Sequence, residues 1–263
     1  MTTRRFRACA LAAIVSLAAG CAARAPARPG ASTTSDPSAV ARFAEATPWC
    51  PGLRTLTGEL RLAGRVGGER VRARLIAGFA APASLRLEAV APFGPPGFIL
   101  AGRADRATLI FPRERQVLDD AAVPDVLEAL AGLTLGAADL RRVVSGCVGD
   151  EAATDGQNHG GGWTSVAVGD RRAYLRSRDG RVVIVAADYA GWQLDYSAHA
   201  GGIPRTVRVR RVATGVDLTA EIASLEMNVD VPDAAFDIDV PASAVSITLD
   251  DLRAASPLHA RDP

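Results

Sequence analysis

Histidine is scarce in this chain of 263 residues: there are three, His159, His199 and His259. None stands at metal-ligand spacing from another histidine or from a cysteine. No Gly-x-Ser-x-Gly elbow, phosphate loop or dinucleotide fingerprint occurs. Acids do come in pairs, Asp119-Asp120, Asp237 with Asp239 and Asp250-Asp251, and turns or solvated edges account for each. With no nucleophile–base pair in view, the chain reads as non-enzymatic, without metal or dissociable cofactor. An excess of one charge is also missing, with 30 basic and 29 acidic residues. No bulk field therefore points to nucleic acid or another polyanion. Aromatic residues are few, at 5%. The longest apolar run, Ala8 to Leu17, falls well short of the roughly 20 residues that span a bilayer.

That run has another reading. Arg4, Arg5 and Arg7 precede it and small residues follow, the pattern of a secretory signal over residues 1–20. Leu17-Ala18-Ala19-Gly20-Cys21 resembles the bacterial lipobox. The resemblance implies cleavage before Cys21 and a covalent lipid on it, with ordinary cleavage as the alternative. Ala22 is not Asp, which by the same resemblance favours an outer-membrane anchor facing the periplasm over retention in the inner membrane. Taking three arginines from the 30 basic residues leaves 27 against 29 acidic ones, a net charge near −2. Residues 21–37 are rich in Ala, Pro, Ser, Thr and Gly and read as a lipidated flexible tether.

Two cysteines remain, Cys50 and Cys147. An even pair in an oxidising compartment predicts a disulfide, two free thiols being the alternative.

Ser38 to Ala46 has helix formers with an apolar side, and Pro48 ends it. From Leu53 the pattern turns to period two, the signature of strands with one apolar and one wet face. Leu60 and Leu62 oppose Glu59 and Arg61; Val71, Ala73, Leu75, Ala77 and Phe79 oppose Arg70, Arg72 and Arg74. Gly67-Gly68 between them is a hairpin signal. Leu85 and Leu87, Phe98 and Leu100, and Ala107, Leu109 and Phe111 continue the meander, with a turn at Asp105-Arg106. At Val123 the spacing becomes helical: Val123, Val126, Leu127, Leu130 and Ala131, then Leu140, Val143 and Val144 with Arg141 and Arg142 facing away. Gly132 and Gly146 are the stops. Residues 149–162 are polar and Gly-rich and read as a mobile loop. Strands resume from Tyr174 and close with Ala235 to Val240; Leu249 to Ala255 reads as a last helical turn. The whole is mainly β (α+β), about eleven antiparallel strands curved into a half-open barrel, with short helices as a lid. One domain spans 38–255, with the lid at about 123–146 and a frayed tail at 256–263.

The stretch Ala91-Pro92-Phe93-Gly94-Pro95-Pro96-Gly97 stands out. Its prolines and glycines forbid a regular ladder and hold an aromatic ring on a stiff loop. Phe93 either reaches outward or packs on its own domain. This loop resembles the strand-connecting loop of LolB-type outer-membrane lipoprotein receptors, which carries an exposed apolar residue before a glycine. Leu130-Ala131-Gly132-Leu133 and Asp139-Leu140-Arg141-Arg142 resemble that family's helix pair, and Val231-Pro232 to Val240-Pro241 resembles the closing strand of the LolA/LolB superfamily. The chain is similar to a divergent branch. The proline pair after Phe93, the Cys50/Cys147 pair and the long 149–162 loop depart from the usual pattern.

The resemblance implies acyl chains held inside the half-barrel and membrane insertion through Pro92, Phe93 and Gly94. Its partners would be outer-membrane lipid, lipoprotein acyl chains and a periplasmic LolA-like carrier. Leu60, Leu62, Leu75, Leu85, Leu87, Phe98, Leu100, Leu109, Leu127, Leu130, Leu140 and Val144 are the candidates to line the cavity. Small inward residues, Gly58, Ala73, Ala77, Ala89, Gly102 and Ala220, would leave room for a chain, or else simply suit close packing. A second reading is a structural or assembly lipoprotein that uses the same fold to bind a protein partner in the envelope.

Overall fold

The structure is a computed structural model, and it describes residues 28–30 and 33–255. The expected signal over 1–20, Cys21, tether residues 22–27 and 31–32, and the tail from 256 lie outside the described residues. The chain builds β1 (Thr34–Ser35), α1 (Ser38–Ala46), β2 (Thr55–Val66), β3 (Glu69–Ala80), β4 (Ser84–Ala89), β5 (Ile99–Arg103), β6 (Arg106–Phe111) and β7 (Gln116–Ala122). Two helices follow, α2 (Val123–Ala131) and α3 (Ala137–Ser145). Then come β8 (Ala153–Gly160), β9 (Trp163–Val168), β10 (Arg171–Arg178), β11 (Arg181–Tyr189), β12 (Trp192–Ser197), β13 (Thr206–Arg211), β14 (Val216–Met227), β15 (Val245–Ser246) and α4 (Leu249–Ala255).

All the strands join one open sheet in the order β1-β8-β9-β10-β11-β12-β13-β14-β2-β3-β4-β5-β6-β7-β15. Neighbours run antiparallel, except that β15 is parallel to β7. Alternation sets the faces. Leu56, Leu60, Val71, Leu75, Phe79, Leu85, Leu87, Leu100 and Leu109 are buried on the inner face. The helices cover that face: α1 lies on β8, β9 and β11, α2 on β6, β7 and α4, and α3 on β3 and β4. Each helix is too short to stand alone, so tertiary burial carries it. Pro124 opens α2, and Gly132 closes it in the left-handed region with its N–H on Glu128 O. Asp105 Oδ1 accepts from Ala137 N at 3.0 Å and so caps α3 from a neighbouring turn. Cys50 and Cys147 are bonded, with Cα atoms 5.6 Å apart, which ties the end of α3 to the turn after α1.

The fold class is the mainly β, half-open sheet that the periodicity implies, but several details differ. The described residues hold fifteen strands, not about eleven. The supposed loop at 149–162 contains β8, which pairs with β9 and with β1 (Thr34↔Asn158, Ser35↔Gln157). Ala235 to Val240 is not a strand. Asp233–Phe236 is a 3₁₀ turn laid across the outer faces of β4 and β5, with Phe236 buried. The tether does not run free to Pro37. Besides β1, the Arg28 guanidinium pairs with Asp188 and, at 3.5 Å, Asp195, and donates to Leu194 O at 2.9 Å. The turn expected at Asp105-Arg106 falls one residue earlier, at Ala104 and Asp105, both with positive φ. Arg141 does not face solvent; it is 7% exposed and reaches Arg54 O at 3.2 Å, and its burial lowers its pKa.

The Cys50–Cys147 bond spans 97 positions, and losing the constraint that such a closure puts on the unfolded chain typically costs about 2–5 kcal/mol. A Cys50→Ser/Cys147→Ser variant is expected to show that loss in urea denaturation, while added reductant leaves the variant unchanged.

Candidate functional site

The Phe93 loop rises from the end of β4. Its base is closed by Ala89 N to Phe98 O at 3.0 Å and Gly97 N to Ala89 O at 2.9 Å, and Val90 N donates to Arg74 O at 2.8 Å. Phe98 turns inward and meets Phe111 edge-on, ring centroids 6.5 Å apart. Phe93 does the opposite and is 88% exposed; Pro92 and Gly94 beside it are exposed as well. Gly94 sits at φ +76°, where a side chain would be strained. Arg113, in the β6–β7 turn, holds the loop from below. Its Nη2 donates to Phe93 O and its Nε to Pro95 O at 3.2 Å. A ring that loses water on neither face of its own domain forgoes about 1.5–3 kcal/mol of burial. The proline-rich turn and the Arg113 clamp leave it no easy way back.

The expected acyl-lining residues are brought together on the inner face. Leu60, Leu75, Leu85, Leu87, Phe98, Leu100, Leu109, Leu127, Leu130, Leu140 and Val144 all belong to one buried cluster, with Leu62 half-buried against it. Two cavities lined by described residues bear on the question. One, beside α3 among Val143, Cys147, Ala187 and Leu194, measures about 10 Å³, room for one water at most. The other is a groove of about 490 Å³ on the outer face, between Ile76, Gly78, Arg86 and Glu88 and the crossing segment at Val231, Ala235 and Phe236. Neither is lined by any of the twelve expected residues. Of the small inward residues, Gly58 and Gly102 answer to strand packing. A Cβ at Gly102 would stand 2.0 Å from Arg106 O, and one at Gly58 would stand 2.4 Å from Ser224 O, so both glycines serve close strand approach.

Sequence reasoning missed the outer groove because its roof is the segment read as a strand. Arg86 pins that roof by donating to Ala235 O at 3.0 Å, and Arg103 by pairing with Asp237 at 2.7 Å. It also missed the clamp, since an arginine in a turn has no pattern of its own.

The paired acids take structural partners. Asp120 is held below the usual carboxylate range by the Arg106 hydrogen bond, and Asp251 by Thr248, which it helps to cap α4. His159 Nε2 is 2.8 Å from Ser165 Oγ. Burial lowers the pKa of His199, whose Nε2 lies 2.8 Å from Ile184 O. Burial raises that of Tyr196, whose hydroxyl has no hydrogen-bond partner among the described residues. No group of three or more potential metal ligands occurs among the described residues. No helix among them is long and apolar enough to cross a membrane.

By sequence the chain matches no family model and no curated protein. In three dimensions it is similar to solved structures. One is a DUF1329 family protein from Desulfovibrio piger, at 14% identity and a TM-score of 0.51, over 78% of this chain and 98% of that one. Another is a LolA superfamily protein from Nitrosomonas europaea, at 9% identity and a TM-score of 0.48, over 78% and 99%. At these identities the likeness is one of fold, and no enzyme family is indicated.

Arg113→Ala is expected to cut protection of the Gly97 amide in hydrogen exchange and to speed proteolysis within 92–97. Global stability should fall by no more than about 1–2 kcal/mol, as for loss of an exposed charge-assisted bond.

Proposed function

We propose that this protein is a non-enzymatic lipid-handling protein at a membrane surface. The finer reading is a divergent outer-membrane lipoprotein of the LolA/LolB superfamily, anchored through a lipid on Cys21. It accepts acyl chains, those of lipoproteins from a LolA-like carrier, and delivers them to the membrane that Phe93 enters. The observation that carries the reading is Phe93, 88% exposed on a loop whose carbonyls Arg113 grips.

The expected lining residues lie buried beneath the helices, so in this reading a chain enters where a helix leaves. The helix suited to this is α2. Cys147 and the bond from Trp49 Nε1 to Ser145 O at 3.3 Å fasten the end of α3. No covalent link holds α2, which ends at the left-handed Gly132. Lifting α2 exposes Val123, Val126, Leu127, Leu130 and Ala131, at a cost of about 6–12 kcal/mol for four large side chains. Burying an acyl chain of about 16 carbons returns on the order of 10 kcal/mol. The exchange is near balance, so a lipid can be both taken up and released. The assembly-protein reading is favoured by a different feature, the outer groove, with Ile76 53% exposed at its floor.

Phe93→Glu is expected to weaken partitioning onto lipid vesicles by roughly ten- to a hundredfold, measured by flotation, with the circular dichroism spectrum unchanged. Equal flotation of variant and parent sinks the insertion reading. Mass spectrometry of the purified chain should find co-purifying diacyl lipid.

A further inference from the structure

The outward face of the β2–β3 hairpin carries five exposed arginines: Arg61 and Arg65 on β2, Arg70, Arg72 and Arg74 on β3. The register sets Arg61 opposite Arg74 and Arg65 opposite Arg70, with Arg72 opposite Ala63. Like charges directly across an antiparallel pair are destabilising, so the hairpin spends stability on two such pairs. Several arginines on the sheet are matched to acids, as Arg208 is to Asp217 at 2.7 Å and Arg106 to Asp120 at 2.9 Å, while Arg178 and Arg181 face each other across β10 and β11. On the β2–β3 hairpin the neutralisation is incomplete. Glu59 binds Arg74 at 2.8 Å. Glu221 faces Arg61 and Asp217 faces Arg65 across β14, but the Asp217 carboxylate is held by Arg208. Arg70 and Arg72 have no ion-pair partner among the described residues.

Position adds a second observation. β4 covers β3 only from Leu75 to Ala80, so the Arg70–Arg74 edge projects past it. The Phe93 loop leaves the sheet at that point, where Val90 N donates to Arg74 O. The base of the Phe93 loop thus meets the arginine face at Arg74. Lysine is absent from the chain, so every one of these cations is a guanidinium, whose planar fork matches phosphate oxygens two at a time.

We propose that this hairpin face binds the phosphates of anionic lipid headgroups and docks on the same membrane that receives Phe93. This rests on the lipid-surface reading above. The arginines bring the domain to the surface and orient it, and the ring then enters. A basic residue near an anionic surface gains roughly fivefold in binding, so Arg70 and Arg72 together contribute on the order of 25-fold.

The test uses the full chain, its Arg70→Gln/Arg72→Gln variant and Phe93→Glu, on phosphatidylcholine vesicles with and without phosphatidylglycerol. The parent chain should bind the anionic vesicles more tightly, and added salt should remove the difference. The double arginine variant should lose at least tenfold on anionic vesicles and nothing on neutral ones, with a thermal midpoint equal to the parent's or higher, because repulsion is relieved. Equal binding of parent and double variant to anionic vesicles overturns the proposal. A lowered midpoint also overturns it, since the arginines would then be structural. If Phe93→Glu removes binding to both vesicle types while the arginine variant removes none, the arginine proposal alone fails. If Phe93→Glu changes nothing while the arginine effect persists, the insertion reading alone fails.

Discussion

The structure depends on one interaction: the apolar sides of short helices seated on the inner face of an open, twisted sheet. Neither part persists without the other. Helices of nine residues do not form alone in water, and a sheet this wide with one aliphatic face cannot leave it bare. The contact also decides what the protein can bind. Leu85, Leu100, Leu109 and Leu130 are buried together between the layers. On the proposed reading, uptake exchanges one hydrocarbon for another and α2 is the element that moves.

The fixed parts surround that element. The Cys50–Cys147 bond and the Arg141 contact with Arg54 O fasten α3. Arg86 and Arg103 strap the 233–237 segment over the outer face. Arg113 braces the Phe93 loop. Arginine recurs in these roles because its long stem packs while its fork satisfies carbonyls and carboxylates at a distance. On the β2–β3 hairpin, by contrast, arginines face one another, and Arg70 and Arg72 have no acid partner among the described residues.

Much of this was legible in the chain. Strands with one buried face declare themselves by alternation, and β2 to β7, β10 and β12 to β14 do so. The helices follow from their 3.6-residue spacing and the glycines at 132 and 146. What was hidden lacks a one-sided pattern. β8, Ala-Thr-Asp-Gly-Gln-Asn-His-Gly, lies one strand in from the edge and pairs with β1 and β9 while hardly a residue is buried. Its pairing comes from the backbone, which the side chains do not report. β11 is buried on both faces, because Trp163, Val183 and Val185 form a small core on the outer side, and its alternation is blurred. Ala235 to Val240 alternates like a strand, yet Phe236 is buried from above by crossing the sheet rather than joining it. Phe93 was legible as a prong from its flanking prolines and glycines. How the helices would seat on the inner face was not, since a list of inward residues gives no distance between two layers.

The central claim is that α2 gives way to an acyl chain while α3 stays. Hydrogen exchange across α2 and α3, with and without a saturating long-chain phospholipid, tests it most directly. The account predicts that lipid speeds exchange at the Leu127 and Leu130 amides and leaves Leu140 and Val144 protected. Equal protection of α2 in both states, with lipid bound, would contradict it.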